Sequence, residues 1–501
     1  MKRTATLLSC LLVGDGLLPG IAYSAEWQRE VAVHVSSYLS DNVCLRNTDK
    51  DARAAATITP DIFVRGEGAR ASLYLAAAVE YNSLGDSSLE CGRGAAGLGG
   101  NRKAWIPSVR YLGDLEVVDN WLTLESDAFV GRNPIDPFAA GGRDNLSGRD
   151  NTNIIYDYGV GARIEQRVFD DADMLLRYRY SQQYNDANLY GDSSEDSVEF
   201  DLGTERSGNR FTTGVAGRYS KVKYDKTDRN LAFDNTLASA EIRAALVLTS
   251  TWQINALVGE EWNEFTSIRD DVDGSYWDAG LRWTPNSRIE VAIGTGERFF
   301  GSTPRAHIRY YHKRSELTAS YTRTLTFPRN LRTADIFDDP LVPDIGGDPD
   351  FGQLPGDPLT VDGQPTFIGN TPIINKRLAL RYRFTGRRTT ISLGAANSEQ
   401  VRTEDAAEAE FSDVSLTFSR SLSPTLSGNA RLSWSEREGE GSIVGRFGQR
   451  SQTWRAGVGL SRLLGNNTTL SLNYLYTKQD SEFDLNRYRE NRLMLSIRHQ
   501  F

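Results

Sequence analysis

The chain closes on R-L-M-L-S-I-R-H-Q-F, Arg492 to Phe501. Leu493, Leu495, Ile497 and Phe501 share one parity, broken only by His499, while Arg492, Ser496, Arg498 and Gln500 take the other. A period of two puts these sets on opposite faces of a strand. An apolar face opposite an arginine-rich one needs lipid or core on one side and water on the other, and a terminal Phe is no help to a soluble sheet. The stretch reads as the closing strand of a β-barrel in the outer membrane of a Gram-negative bacterium. Leu493, Leu495, Ile497 and Phe501 then form the signal that barrel-assembly machinery reads. Deleting Phe501 is expected to lower the outer-membrane level of the protein and leave its precursor degraded. Unchanged levels in membrane fractions would remove this reading.

Composition neither supports nor opposes a barrel. The 501 residues are 39% hydrophobic, with a mean hydropathy of -0.45, because alternating polar and apolar residues average to a soluble-looking value. No run of about 18 apolar residues follows the amino terminus, which excludes helical spans. Residues 1–25 read as a signal peptide: Lys2 and Arg3 precede the apolar Leu7 to Val13, and cleavage falls near Ala22-Tyr23-Ser24-Ala25. The net charge of -9 becomes -10 once Lys2, Arg3 and Asp15 are removed, so no nucleic-acid partner is expected.

From Glu26 to Phe501 one grammar repeats: alternating stretch, tight polar turn, alternating stretch, longer polar loop. Leu176, Tyr178 and Tyr180 oppose Arg177, Arg179 and Ser181, and Leu378, Leu380, Tyr382 and Phe384 oppose Arg381 and Arg383. Turns fall at Gly66-Glu67-Gly68, Val118-Asp119, Phe169-Asp170-Asp171, Pro285-Asn286, Thr385-Gly386, Ser423-Pro424 and Gly465-Asn466-Asn467. The expected fold is all-β, a single transmembrane antiparallel up-and-down barrel of about 22 strands (20–24), with both ends on the periplasmic side. Trp105, Trp121, Trp252, Trp283 and Trp454 lie toward strand ends, where interfacial girdles sit. No repeat of constant period speaks for a solenoid or propeller.

Three sets of residues are candidates for function. Arg177, Arg179, Arg381, Arg383, Asp413, Arg431, Arg455 and Arg498 face the lumen by parity, joined by Arg309, Glu241, Asp278, Arg282 and Glu290. Both signs occur, which fits a polar conduit for mixed solutes or a mutually neutralising wall in a wet lumen. The segment 328–375 holds eight of the sixteen prolines, and Asp335, Asp338, Asp339, Asp344, Asp348, Asp350, Asp357 and Asp362 face only Arg329 and Arg332 in it. It reads as an outward loop: a pore constriction, a lid, a calcium-stabilised loop or a solvated loop. Cys44 and Cys91 lie in the first two outward loops and are either bonded or two free thiols.

No enzyme, metal site or cofactor is expected. The four histidines, His34, His307, His312 and His499, show no metal-binding spacing, His307 and His312 differ in parity, and no G-x-S-x-G elbow occurs.

The runs S-D-N-V (Ser40 to Val43), A-T-I-T-P-D-I-F-V-R-G-E-G (Ala56 to Gly68), F-V-G-R-N-P-I-D-P-F (Phe129 to Phe138), N-T-N-I-I-Y-D-Y-G-V-G-A-R-I (Asn151 to Ile164) and L-R-Y-R-Y (Leu176 to Tyr180) resemble the outer-membrane β-barrel family associated with the PEP-CTERM/exosortase system and its exopolysaccharide loci. The resemblance implies a barrel serving polysaccharide export or surface assembly, with polysaccharide and periplasmic export components as partners beside the membrane lipid. The alternatives are a plugged barrel that anchors or binds, and a general diffusion porin.

Overall fold

The structure is a computed structural model describing residues 26–84, 91, 103–141, 146–147, 151–168, 171–187, 191–204, 210–226, 233–333, 365–366, 369–439 and 449–501. The signal peptide and Asp335, Asp338, Asp339, Asp344, Asp348, Asp350, Asp357 and Asp362 lie outside these residues, and so does the calcium reading of that loop.

Twenty-two antiparallel strands close into one barrel. Each pairs with its sequence neighbours, and the closing strand Tyr488–Gln500 returns to the first, Glu26–Ser40. Closure is what lipid demands, because an open edge leaves backbone donors and acceptors unpaired in hydrocarbon. The seam runs from Ala32↔Gln500 to Ser40↔Arg492. Pairing therefore begins five residues above Trp27, and the Phe501 amide adds one bond to the Val31 carbonyl at 2.9 Å.

Connections alternate in length as the grammar requires. Short turns such as those after Glu67, Val118, Asn286, His312, Thr385, Ser421 and Leu464 lie at the end that holds both chain termini, the periplasmic end. The longer loops, after Ser40, Asn82, Pro134, Thr326 and Gly439, lie at the other. Several strands run a few residues beyond the expected turns: Gly66, Glu67 and Asn286 are still paired. Paired backbone continues past the turn-type residues because the partner strand is already in register.

The period-two reading fixes the outer face. Leu176, Tyr178, Leu378, Leu493, Leu495 and Ile497 are exposed, and Phe501 is 75% exposed, toward lipid in a membrane. Trp27, Trp121 and Trp252 stacked on Trp283 at 5.6 Å mark the periplasmic end of this face. Trp105, Trp262, Trp277 and Trp454 mark the outward end. His499 sits on the lipid-facing parity at the periplasmic rim, where its Nδ1 meets Thr468 Oγ1 at 2.9 Å and its ring meets Phe501 edge-on.

The barrel is not hollow from end to end. On the closing strand the inward Tyr488, Glu490, Arg492, Met494 and Ser496 are buried, and Arg498 is exposed. On Ile373–Thr385 the inward Ile373, Asn375, Arg377 and Ala379 are buried, and Arg381 is exposed. On Glu408–Ser421 burial likewise ends between Phe411 and Ser419. Along these strands the outward half of the lumen is packed and the periplasmic half is wet. This corrects the expectation of a lumen wet throughout: side chains alone do not fill so wide a barrel, and the loops do it instead.

Candidate functional site

The wall of the lumen carries one device repeatedly. An arginine reaches across the intervening strand, in three cases over a glycine, to a carboxylate two strands away. Arg179 passes over Gly159 to Asp127 with bonds of 2.8 and 2.9 Å, and a Cβ on Gly159 would stand 2.5 Å from its Nη2 and 2.7 Å from Asp127 Oδ1. Arg243 passes over Gly214 to Asp201 at 2.5 Å. Arg305 passes over Gly294 to Asp278 at 2.5 Å. Arg498 crosses the first strand, whose inward Ala32 and His34 it spans, to Asp61 at 3.1 Å. Arg177 and Arg163 both meet Glu125. Each bridge neutralises a wall charge, and those from Arg177, Arg179, Arg243, Arg305 and Arg498 each tie three strands together.

Above these bridges the loops fold inward. After the strand Ser315–Thr326, the chain turns into a short helix, Pro328–Thr333, which enters the lumen and meets the opposite wall. Arg329 is 1% exposed: its Nη2 donates to Ser181 Oγ at 3.0 Å and lies 3.7 Å from Asp157, and its Nε lies 3.9 Å from Glu195. The backbone is pinned as well, with Asn133 donating to the Arg332 carbonyl at 2.9 Å and Gln183 to that of Arg329 at 3.4 Å. Leu331 packs with Phe138, Ile373, Ala409 and Phe411.

Phe138 arrives from a second loop, after Leu122–Pro134, and crosses the mouth. Its carbonyl accepts from Gln479 and Asn486, and its ring lies 6.2 Å from Phe411. Cys44 and Cys91 are bonded, with Cα atoms 4.9 Å apart across 47 residues. That closes the first two outward loops onto Tyr38, Leu84, Leu146 and Met494. A loop of this length stabilises by about 4 kcal/mol in the chain-entropy picture. Of the segment 328–375, the described beginning, the helix Pro328–Thr333, lies inside the lumen.

All of Arg177, Arg179, Arg381, Arg383, Asp413, Arg431, Arg455 and Arg498 stand on inward positions. The structure separates them. Arg177, Arg179 and Arg498 belong to cross-strand bridges, and Asp413 accepts from Arg437 at 2.7 Å. Arg381, Arg383, Arg431 and Arg455 share one arc of wall, between Arg305 and Leu464. The periodicity passed over Glu125, Asp127, Asp201, Arg243 and Arg329 as members of the site. A signal was present for two of them, since Asp127 and Arg179 flank a strand whose inward positions are Gly159 and Gly161. For Arg329, nothing local marks its partners, which lie 134 residues or more away in the chain. Among the described residues no group of three or more His, Cys, Asp or Glu side chains is placed to hold a metal ion.

No family model and no curated protein matches the sequence. Solved structures do. The FrpB iron transporter from Neisseria meningitidis is 11% identical, over 95% of this chain and 83% of that chain, with a TM-score of 0.50. The chain has the fold of an outer-membrane β-barrel. The siderophore receptor PirA from Acinetobacter baumannii is 10% identical over 95% of this chain and 81% of that one, at 0.49. A variant of the ferric enterobactin receptor PfeA from Pseudomonas aeruginosa is 10% identical over 94% and 80%, at 0.48. At such identity the likeness concerns the fold alone.

Proposed function

We propose that this barrel works closed, as a loop-plugged outer-membrane protein that anchors or binds material at the cell surface, in preference to an open conduit. The observation that carries this reading is the inward helix Pro328–Thr333, held by Arg329 against the far wall. An open diffusion pore has no use for a buried arginine in its lumen, because burying a charge costs several kcal/mol unless partners offset it.

A second reading follows the family resemblance: exopolysaccharide export, with polysaccharide and periplasmic components as partners. It is favoured by the exposed polar inner wall of the periplasmic half, around Arg381 and Ser419, and it requires the plug to move. Planar-bilayer recording separates the two. The purified barrel is expected to be electrically silent at rest, and steady conductance from the unmodified protein would overturn the plugged reading.

A further inference from the structure

The lipid-facing side of the strands Glu408–Ser421, Leu426–Gly439, Gln449–Leu464 and Thr468–Ser481 carries a recess. Two register rows, Leu416↔Leu432↔Ala456↔Tyr476 and Phe418↔Ala430↔Val458↔Tyr474, set small side chains between large ones. Ala430 and Ala456 floor a groove of about 290 Å³, and Phe418, Leu432, Tyr474 and Tyr476 wall it. Trp434 and Trp454, with ring centroids 6.4 Å apart, stand at its outward end.

The periplasmic end differs in character. Arg420 follows Phe418 on the same parity, in register with Gly428 and Leu460, and Arg462 follows Leu460. Both arginines therefore face outward, and both are exposed. Their strands lie about 10 Å apart, and Arg462 stands two residues, about 7 Å, further along. The neighbouring turn adds Arg387 and Arg388, both exposed, and the Arg388 carbonyl accepts from the Ser421 amide at 2.8 Å. Among the described residues none of these four arginines takes part in an ion pair. The lipid-facing register neighbours of Arg420 and Arg462 include Thr389, Leu426 and Leu470, and no carboxylate stands among them. A long basic side chain at the edge of the apolar band lays its stem on apolar surface and extends its head to the phosphate layer.

We propose that this face binds one anionic phospholipid of the periplasmic leaflet, with an acyl chain in the groove and the phosphate between Arg420 and Arg462. The order along the strands matches the order along the lipid: the charges lie at the turn end, and the recess begins at Phe418, two residues above Arg420. A lipid of the outer leaflet would carry its phosphate at the opposite end, beside Trp454. A second copy of the barrel fits less well. A two-fold contact through this face sets equal levels against each other, so the arginines of one copy would meet those of the other and repel. The site lies outside the lumen and is independent of whether the barrel conducts.

The test is native mass spectrometry of the full-length mature barrel, delipidated in nonionic detergent, with phosphatidylglycerol and zwitterionic phosphatidylcholine of matched acyl length as probes. One phosphatidylglycerol is expected to bind, at least about tenfold tighter than phosphatidylcholine. Arg420→Gln combined with Arg462→Gln is expected to remove that preference, and the paired lysine variant to keep most of it. Arg29→Gln, which removes a lipid-facing cation at the periplasmic end of the first strand, is expected to leave it in place. Ala430→Trp fills the groove and is expected to weaken both lipids about tenfold. Each variant must show the heat-dependent gel shift of a folded barrel; the preference of the unmodified protein needs no variant. Equal affinity for the two lipids overturns the proposal, as does a preference that survives the paired glutamine variant or is lost equally in Arg29→Gln. So does unchanged binding by Ala430→Trp, which leaves the groove empty. Displacement of the lipid by glycerol 3-phosphate makes the site one for a small anion, and a lipid-free dimer that Ala430→Trp dissociates makes the face a contact between copies; either result overturns the proposal.

Discussion

Arg329→Met is expected to turn a silent barrel into one with frequent openings. The lumen helix drives the Arg329 guanidinium into the opposite wall, where it faces Asp157 and Glu195 and donates to Ser181. A hydrogen bond from a charged donor contributes about 1.5–3 kcal/mol, so its loss shifts helix docking by roughly ten- to a hundredfold. The substitution also leaves two carboxylates facing a buried apolar side chain, which raises the penalty further. Methionine keeps the length and apolar stem, so lost packing is a small part of the effect. The Asn133 bond to the Arg332 carbonyl and the Leu331 cluster remain. The open state is therefore expected as bursts, becoming steady when Leu331→Ala is added. Bilayer records of the double variant that stay silent would mean that the helix does not close the lumen.

Gly296→Ala is expected to destabilise the barrel far more than Gly217→Ala. A Cβ at Gly296 would collide with the Trp277 carbonyl oxygen and stand 3.0 Å from Asp278 Cα, both on the rigid neighbouring strand Gly274–Asn286. At Gly217 the nearest atom is the Ser239 carbonyl at 3.7 Å, an ordinary contact. Overpacking of this kind costs about 1–3 kcal/mol. The consequence is larger here because Ile289–Arg298 and Arg305–His312 are only ten and eight residues long. The wall is shortest where the collision falls. The temperature at which the compact gel band is lost is expected to drop by roughly 5 °C for Gly296→Ala and to stay in place for Gly217→Ala. Matching behaviour of the two would remove the argument from close approach.

Much of this molecule was legible from alternation alone. Leu176 and Tyr178 face out and Arg177 and Arg179 face in because the strand period is two and the surroundings differ across the wall. That logic needs no partner, so it also placed Arg381, Arg383, Arg431, Arg455 and Arg498 on the inward face. The turns were legible to within a few residues, since glycine, proline, asparagine and aspartate mark them, though Asn286 is still paired with Ile289. Cys44 and Cys91 were legible as candidates only: their meeting depends on two loops folding over the same mouth.

What stayed hidden depends on which inward residues face one another. Parity alone assigns Arg179 and Arg381 the same property, yet one is tied to Asp127 over Gly159 and the other stands exposed in an arginine-rich arc. That difference comes from register across three strands. In the same way, the segment after Thr326 reads as an acidic loop, and only the closed barrel puts Asp157, Ser181 and Glu195 within reach of Arg329.

Returning to Leu493, Leu495, Ile497 and Phe501, the residues by themselves determined a two-faced closing strand and, with the repeated grammar, an up-and-down barrel of about 22 strands. Both follow from local geometry and the need to pair every backbone group in lipid. The tertiary structure alone decided that, along Ile373–Thr385, Glu408–Ser421 and Tyr488–Gln500, the outward half of the lumen is packed and the periplasmic half is wet. Loop contacts across a barrel form between residues far apart in the chain, and no local period encodes them.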